Sequence, residues 1–276
     1  MIDLLRQYWL PLLVFDGDHF SGLVVTLWLL VLSVAFGFVL AVPLSIARNS
    51  SNRYVSGTVK AYTFAIRGTP LYVQLLLIYT GIYGLEFVKA SDMLSAFFRS
   101  GMNCTVLAFS LSTSAYTTEI FAGAMRAIPR GEIEAARAFG MSSGAIYRVV
   151  IIPAMLRRAL PMYSNEIILM LHATTLAFTA TVPELMKVVR DMNSATYMTF
   201  SSFTIAALIY LSISFLLIGA FKKAEKKWLA FLAPRSTGAG RVTNCLSTRR
   251  SQRFMGHFLT LLPIKWPLKH LRRDSE

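Results

Sequence analysis

The sequence predicts an all-α integral membrane protein with five transmembrane helices. Three observations predict it: an apolar composition, five charge-poor stretches of spanning length, and basic residues gathered in alternate connections. Of 276 residues, 55% are hydrophobic and 15% charged, with mean hydropathy +0.53. A soluble domain carries about a quarter charged residues. The composition therefore excludes an ordinary cytosolic enzyme, and excludes disorder more strongly. The formal charge is +14. In so apolar a chain that excess belongs to loops facing anionic lipid, and no nucleic-acid partner is expected.

Crossing a bilayer takes roughly 20 apolar residues in a helix. Phe20 to Ala47 is uncharged for 28 residues, Gly68 to Leu85 for 18, and Ser100 to Thr118 for 19, the apolar pattern continuing past Glu119 to Met125. Ala159 to Pro183 holds one acid, Glu166, in 25 residues, and Met192 to Phe221 is uncharged for 30. The predicted spans are 23–47, 68–88, 101–125, 159–182 and 200–221 within a membrane domain of residues 20–232. Each must be helical, because lipid leaves no other way to satisfy the backbone. Residues 1–19 precede the first span and lack the basic stretch and small-residue cleavage site of a removable signal peptide. Tyr8 and Trp9 suit a segment resting at the outer interface.

The connections set the orientation. Segments 48–67, 126–158 and 222–227 hold fourteen Lys and Arg; segments 1–19, 86–99 and 184–191 hold five. The positive-inside rule then places the N-terminus outside and the C-terminus in the cytoplasm. Residues 233–276 are different in kind, with nine basic residues and two acids. They read as a basic tail, disordered or lying on the membrane surface; a shifted reading frame near the end of the gene is the second reading. Two cysteines and four scattered histidines show no disulfide framework and no metal-ligand spacing, so neither a metal nor a cofactor is expected.

The longest inner connection, 126–158, exceeds a plain connector. Gly131-Glu132-Ile133-Glu134-Ala135-Ala136-Arg137-Ala138-Phe139-Gly140 signals a short helix: Pro129 ahead, acids in the first turn, alanines throughout, Gly140 as the stop. A second helical stretch, Ser142 to Ile151, is expected to end before Pro153. The small alanines let another protein approach closely; a surface hairpin that only links two spans is the other reading.

Glu134-Ala135-Ala136, three residues, Gly140, nine residues and Val150-Ile151-Ile152-Pro153 resembles the EAA loop of ABC importer membrane subunits, whose pattern is E-A-A-x3-G-x9-I-x-L-P. Val150 and Ile152 replace the usual Ile and Leu. Arg67-Gly68-Thr69-Pro70-Leu71-Tyr72-Val73-Gln74, Tyr116-Thr117-Thr118-Glu119-Ile120-Phe121 and Asn165-Glu166-Ile167-Ile168 resemble the polar-amino-acid permeases of that family. Residues 1–232 are similar to its M-type permeases for histidine, lysine, arginine and ornithine; another polar amino acid or an opine is the alternative cargo. The tail after residue 233 falls outside the likeness.

The resemblance implies the permease fold of type I ABC importers in a bacterial inner membrane. It also implies a second homologous permease subunit, two ATP-binding subunits and a periplasmic amino-acid-binding protein. No Gly-Lys dipeptide occurs, so a P-loop is absent and ATP hydrolysis belongs to another polypeptide; the chain is not expected to be an enzyme. By the same resemblance the EAA helix is a lever held by the ATPase, with Glu134, Ala135, Ala136, Gly140 and Pro153 as coupling residues.

An acid inside a span costs about 2.5–3.5 kcal/mol on insertion scales, so it needs a partner or a task. Glu166 lies eight residues after Arg158, about 12 Å along a helix, which predicts mid-depth. Two readings stand for it: a counter-charge for a cationic substrate, or a structural bond to a neighbouring helix. Glu119, seven residues before Arg126, reads more readily as a helix-to-helix pair. His172 repels a cation less than the Lys many relatives carry there, and is otherwise a hydrogen-bonded helix residue. Thr174 and Thr175 complete the substrate-path candidates; back-bonding to their own helix is the competing role.

Overall fold

The computed structural model describes residues 2–14 and 20–228. The basic tail, residues 233–276, lies outside the described residues. Helix α1 spans Ile2–Leu13 and α2 Leu23–Arg48. Helix α3, Arg53–Gly68, begins where the Asn52 side chain accepts the Tyr54 amide at 3.0 Å. Thr69 and Pro70 interrupt it, and α4, Leu71–Leu76, continues as a π turn to Ile82. Short α5 (Glu86–Lys89) and α6 (Asp92–Arg99) lead to α7, Gly101–Arg126. Helix α8 is Arg130–Ala138. Helix α9, Ser143–Ala145, passes through a π turn, Ile146–Ile151, into α10, Ile152–Ala173, which tightens to a 3₁₀ stretch, Thr174–Ala180. Helices α11 (Leu185–Thr196) and α12 (Thr199–Trp228) follow. The described residues contain no strand, only a parallel bridge between Gly22 and Glu184.

Helix α7 is the axis of the bundle. It packs along α2, α3 and α10, and its buried face is rich in small hydroxyl residues: Thr105, Ser110, Ser112, Thr113, Ser114, Thr117 and Thr118. Small side chains let helix backbones approach closely where no hydrophobic force separates protein from lipid. Gly37 shows how closely: a Cβ there would lie 1.9 Å from Thr113 Cγ2, so α2 and α7 touch only because Gly37 has none. The main core joins Leu29 and Leu30 of α2, Leu75 of α4, Phe109 of α7, Leu171 of α10, Leu185 of α11 and Ile205 of α12. A second cluster, Ala41, Phe121, Met155 and Ala159, is bordered by Phe38 and Tyr163. The rings of Phe38, Phe121 and Tyr163 stand 5.6–5.9 Å apart.

Among the described residues α2 and α12 are long and apolar enough to cross a membrane by composition alone. They turn Trp28, Val31, Phe36 and Val39, and Leu208, Leu211, Phe215 and Leu216, outward. Helices α7 and α10 match them in reach but carry their polar groups inward. At the opposite end from α8, Glu184 caps α11 by accepting the Met186 and Lys187 amides at 2.7 and 2.8 Å. It also accepts the Tyr210 hydroxyl at 3.1 Å, tying α11 to α12. Leu12 of α1 is buried, and Pro11 O accepts the Ser21 hydroxyl at 3.0 Å.

Three elements differ from the sequence expectation. Residues 68–88 are not one continuous helix: α4 and its π turn end at Ile82 and α5 starts at Glu86. Helix α3 adjoins α4 at Thr69 and Pro70, and it packs beside α7 instead of serving as a surface connection: the Tyr62 hydroxyl reaches Leu111 O at 3.0 Å and Ser114 Oγ at 2.7 Å. The charges on α3 (Arg53, Lys60, Arg67) hid it from a search for uncharged stretches. The second stretch of the 126–158 segment does not end before Pro153. The π turn Ile146–Ile151 leads directly into α10 with Pro153 near its start, its altered bonding accommodating the missing N–H, so helical structure runs on through the proline. Helix α10 ends at Ala173 and its 3₁₀ extension at Ala180, so the expected span 159–182 is part helix and part 3₁₀. The fifth, α12, extends to Trp228 instead of 221.

Candidate functional site

Two places concentrate the residues singled out by the sequence. The first is the α8–α9 hairpin at one end of the bundle. Pro129 sets the entry to α8, and Glu132 in the first turn complements the helix dipole. Gly140 ends it with φ +71°, the left-handed position that favours glycine; the Met141 amide then reaches back to Ala136 O at 3.2 Å. Ser142 caps α9 through the Ala145 amide at 3.4 Å. Beneath the hairpin Ile128, Ala136, Ile146 and Ile151 form a small core, and Arg158 Nη2 meets Glu132 Oε1 at 3.3 Å, bracing α8 against α10.

This geometry divides the coupling candidates. Glu134, Ala135, Ala138 and Gly140 face out, whereas Ala136 is 6% exposed and packs inward. Ala136 is thus part of the hairpin's own core, not of an approach surface, because the α8 periodicity puts it on the face of Ile133 and against Ile146. Pro153 lies half-buried at the start of α10, behind the hairpin. Phe139 is 88% exposed beside Gly140. Sequence reasoning passed over it, although an aromatic residue next to a helix-ending glycine on an otherwise alanine-rich face was the available signal.

The second place is the middle of the bundle. Thr113 is near the centre of the 26-residue α7, about 18–20 Å from either end at 1.5 Å per residue. Its hydroxyl donates to Glu166 Oε1 on α10 at 3.4 Å, and Glu166 is 9% exposed. Glu166 thus lies against the middle of α7. One turn along the same face of α7, Tyr116 carries the Arg67 guanidinium over its ring, 5.0 Å from the centroid. Pro70 frees the end of α3, and Gln74 Nε2 closes it by donating to Ile66 O at 2.6 Å and Thr69 O at 3.0 Å.

Glu119 has a different setting. Its Oε1 accepts from Arg48 Nε and from Thr63 Oγ1, each at 2.8 Å, joining α2, α3 and α7. Toward the other end, His172 Nε2 is 3.2 Å from Ser214 Oγ on α12. The Thr174 hydroxyl donates to Leu171 O at 2.6 Å, and that of Thr175 to His172 O at 2.7 Å, both within their own helix. The structure brings Glu166, Thr113, Tyr116 and Arg67 together. It places Glu119 nearer the α8 end, His172, Thr174 and Thr175 nearer the α11 end, and the coupling residues outside the bundle. Ser164 adds a link that sequence reading missed: its hydroxyl lies 3.0 Å from Glu225 Oε1 of α12.

The chain is similar to known proteins over most of its length. Residues 33–229 match the family described as "Binding-protein-dependent transport system inner membrane component". The histidine/lysine/arginine/ornithine transport system permease protein HisM of Escherichia coli (strain K12) is 60% identical over 237 residues, which cover 86% of this chain and all of HisM. The nopaline transport system permease protein NocM of Agrobacterium fabrum is 41% identical over 200 residues, 72% of this chain and 83% of NocM. Among solved structures, the crystal structure of an amino acid ABC transporter with histidines superposes with a TM-score of 0.64 at 30% identity, covering 75% of this chain and 92% of that one. Permeases of this kind work with ATPase and substrate-binding partners and are not themselves enzymes. With the type I importer fold, the α8 hairpin outside the bundle and the family match over most of its length, the chain belongs to the binding-protein-dependent inner membrane components: it is a multi-pass inner-membrane permease subunit of an ABC importer.

Proposed function

We propose that this permease serves an importer of basic amino acids (histidine, lysine, arginine and ornithine). It forms half of the translocation path beside a second homologous permease. Two ATP-binding subunits drive the pair, and a periplasmic amino-acid-binding protein delivers the cargo. The observation that carries the cargo reading is the likeness to HisM, 60% against 41% for the nopaline permease. Glu166 supports it: a carboxylate at mid-depth with one long hydrogen bond is a suitable counter-charge for a cationic substrate. The N-terminus is periplasmic and the C-terminus cytoplasmic. Removing Lys60 and Arg67, which α3 carries beside α7, from the fourteen basic residues of the inner side still leaves twelve against five.

The α8 hairpin is the lever. Glu134, Ala135 and Gly140 offer a low surface that an ATPase groove can cover, Phe139 adds an apolar anchor, and the Glu132–Arg158 brace passes movement to α10. The unbroken helix from the hairpin through Pro153 makes α10 a stiff rod from the ATPase to the level of Glu166.

The test is reconstitution of the complete transporter in proteoliposomes with labelled cargo. ATP-dependent uptake of arginine, lysine, histidine and ornithine, each competing with the others, is expected. Preference for an opine overturns the cargo reading, and uptake by this chain alone overturns the lever. The Glu134→Lys protein is expected in the membrane at normal abundance with uptake abolished and ATPase co-purification lost; normal uptake at that abundance removes the lever role.

A further inference from the structure

The motif Arg67-Gly68-Thr69-Pro70 lies outside the α8 hairpin, and the fold carries it beside the middle of α7. Arg67 is the last charged residue of α3, and Tyr116, whose ring it overlies, is about 15 Å from the end of α7 at 1.5 Å per residue. A guanidinium at that depth is costly unless it is paired or facing a polar path. No hydrogen bond and no ion pair joins Arg67 to another described residue; the aromatic ring is its support, and the side chain is exposed. At the break Gln74 Nε2 donates to Ile66 O and Thr69 O and the Thr69 hydroxyl donates to Ala65 O, so side chains other than Arg67 serve the backbone there. Its five donors are free and their plane is oriented by Tyr116.

Thr113, three residues earlier on α7, holds Glu166. Residues three apart share a helix face. The Tyr116 ring that carries the Arg67 guanidinium is thus one turn of α7 from the Thr113 hydroxyl that holds Glu166 by one long bond, and one turn on the other side lies Glu119, whose charge is already met by Arg48 and Thr63. A cationic amino acid carries the complementary pair: an α-carboxylate and, beyond it, a positive side chain. Planar bidentate recognition of a carboxylate is the chemistry at which arginine exceeds lysine.

We propose that Arg67, positioned on the Tyr116 ring, binds the α-carboxylate of the cargo while Glu166 faces its cationic side chain. This rests on the reading of the chain as a permease for cationic amino acids. The pair explains how one site accepts several basic side chains while requiring an amino acid: the carboxylate end is fixed and the side-chain end is met by charge alone.

The test uses the purified transporter, assembled with its partner subunits but without the binding protein, and titrates L-arginine and its decarboxylated analogue agmatine. Arg67→Ala is expected to weaken arginine binding at least tenfold and leave agmatine within twofold of the native transporter. Arg67→Lys is expected to fall between them, since it keeps the charge but loses the fork. Equal weakening of both ligands overturns the proposal and assigns Arg67 to assembly of the bundle; unchanged arginine binding overturns it outright. A native transporter that imports arginine but binds none without the binding protein also overturns it, while the proposed function stands. Glu166→Gln is the discriminating control: it is expected to weaken both ligands. If it weakens neither, the Glu166 counter-charge reading fails and the proposed pair fails with it, whereas failure confined to the Arg67 variants leaves that reading intact.

Discussion

Glu119 and Glu166 are both acids within the bundle, on adjoining helices, and their surroundings are opposite. Glu119 is closed: Arg48 and Thr63 each meet it at 2.8 Å, and Arg48 is itself held by Ser56, whose hydroxyl donates to Arg48 O at 2.7 Å. Three helices, α2, α3 and α7, are stitched through one carboxylate. Glu166 is open: Thr113 donates to it at 3.4 Å, and the Arg67 guanidinium a turn away is unbonded. The difference teaches that an intramembrane charge does not by itself mark a substrate path. A charge whose partners are supplied by the chain is part of the scaffold; one left with spare acceptors, as Glu166 is, has capacity for a further partner.

The largest effect that separates the two is on folding. Glu119→Leu leaves Arg48 without its counter-ion in a site where that side chain is 20% exposed. Removing one partner of a buried pair costs about 3–5 kcal/mol, and the partial exposure here lowers that to roughly 2–3 kcal/mol. The expected result is a steep fall in folded protein in the membrane and a lower unfolding midpoint in detergent. Replacing both members, Arg48→Met with Glu119→Leu, is expected to recover most of the loss. A stable single variant that fails only in transport would move Glu119 from scaffold to path and break the contrast.

Glu166→Gln tests the open side. The amide keeps the shape and the acceptor for Thr113, so abundance and unfolding midpoint are expected to stay within experimental scatter. Uptake of arginine and lysine is expected to fall about tenfold, the equivalent of 1.4 kcal/mol of lost charge interaction. A variant that loses stability and keeps uptake would place Glu166 beside Glu119 as a structural group.

The contrast was partly legible in the sequence. Depth followed from counting along a helix, and that put Glu166 at mid-bundle and Glu119 nearer one end. Local signals also marked the hairpin, because capping and helix-ending glycine act within a few residues: Pro129, Glu132 and Gly140 stand where α8 starts and stops. What was not legible was tertiary. Arg53, Lys60 and Arg67 made α3 look like a surface connection, and only its packing on α7 shows that a charged helix belongs to the bundle. Pro153 looked like a terminator, since nothing in the sequence announces a π turn that can absorb it. Ala136 looked like open surface until Ile146 and Ile151 were folded beneath it.

The smallest effect concerns hydroxyls. Thr174 and Thr175 stood beside Glu166 as path candidates, but their oxygens donate to Leu171 O and His172 O one turn back. Such bonds relieve the carbonyls where α10 tightens into its 3₁₀ stretch and leave little for a passing substrate. Thr175→Val keeps the branched shape and removes one local bond worth about 0.5–1 kcal/mol. Uptake within twofold of the native protein and a midpoint shift near the limit of measurement are therefore expected. A tenfold loss of uptake at unchanged stability would mean that the Thr175 hydroxyl turns outward during transport. The open region would then extend from Glu166 along α10 toward His172, instead of ending at the Thr113 turn.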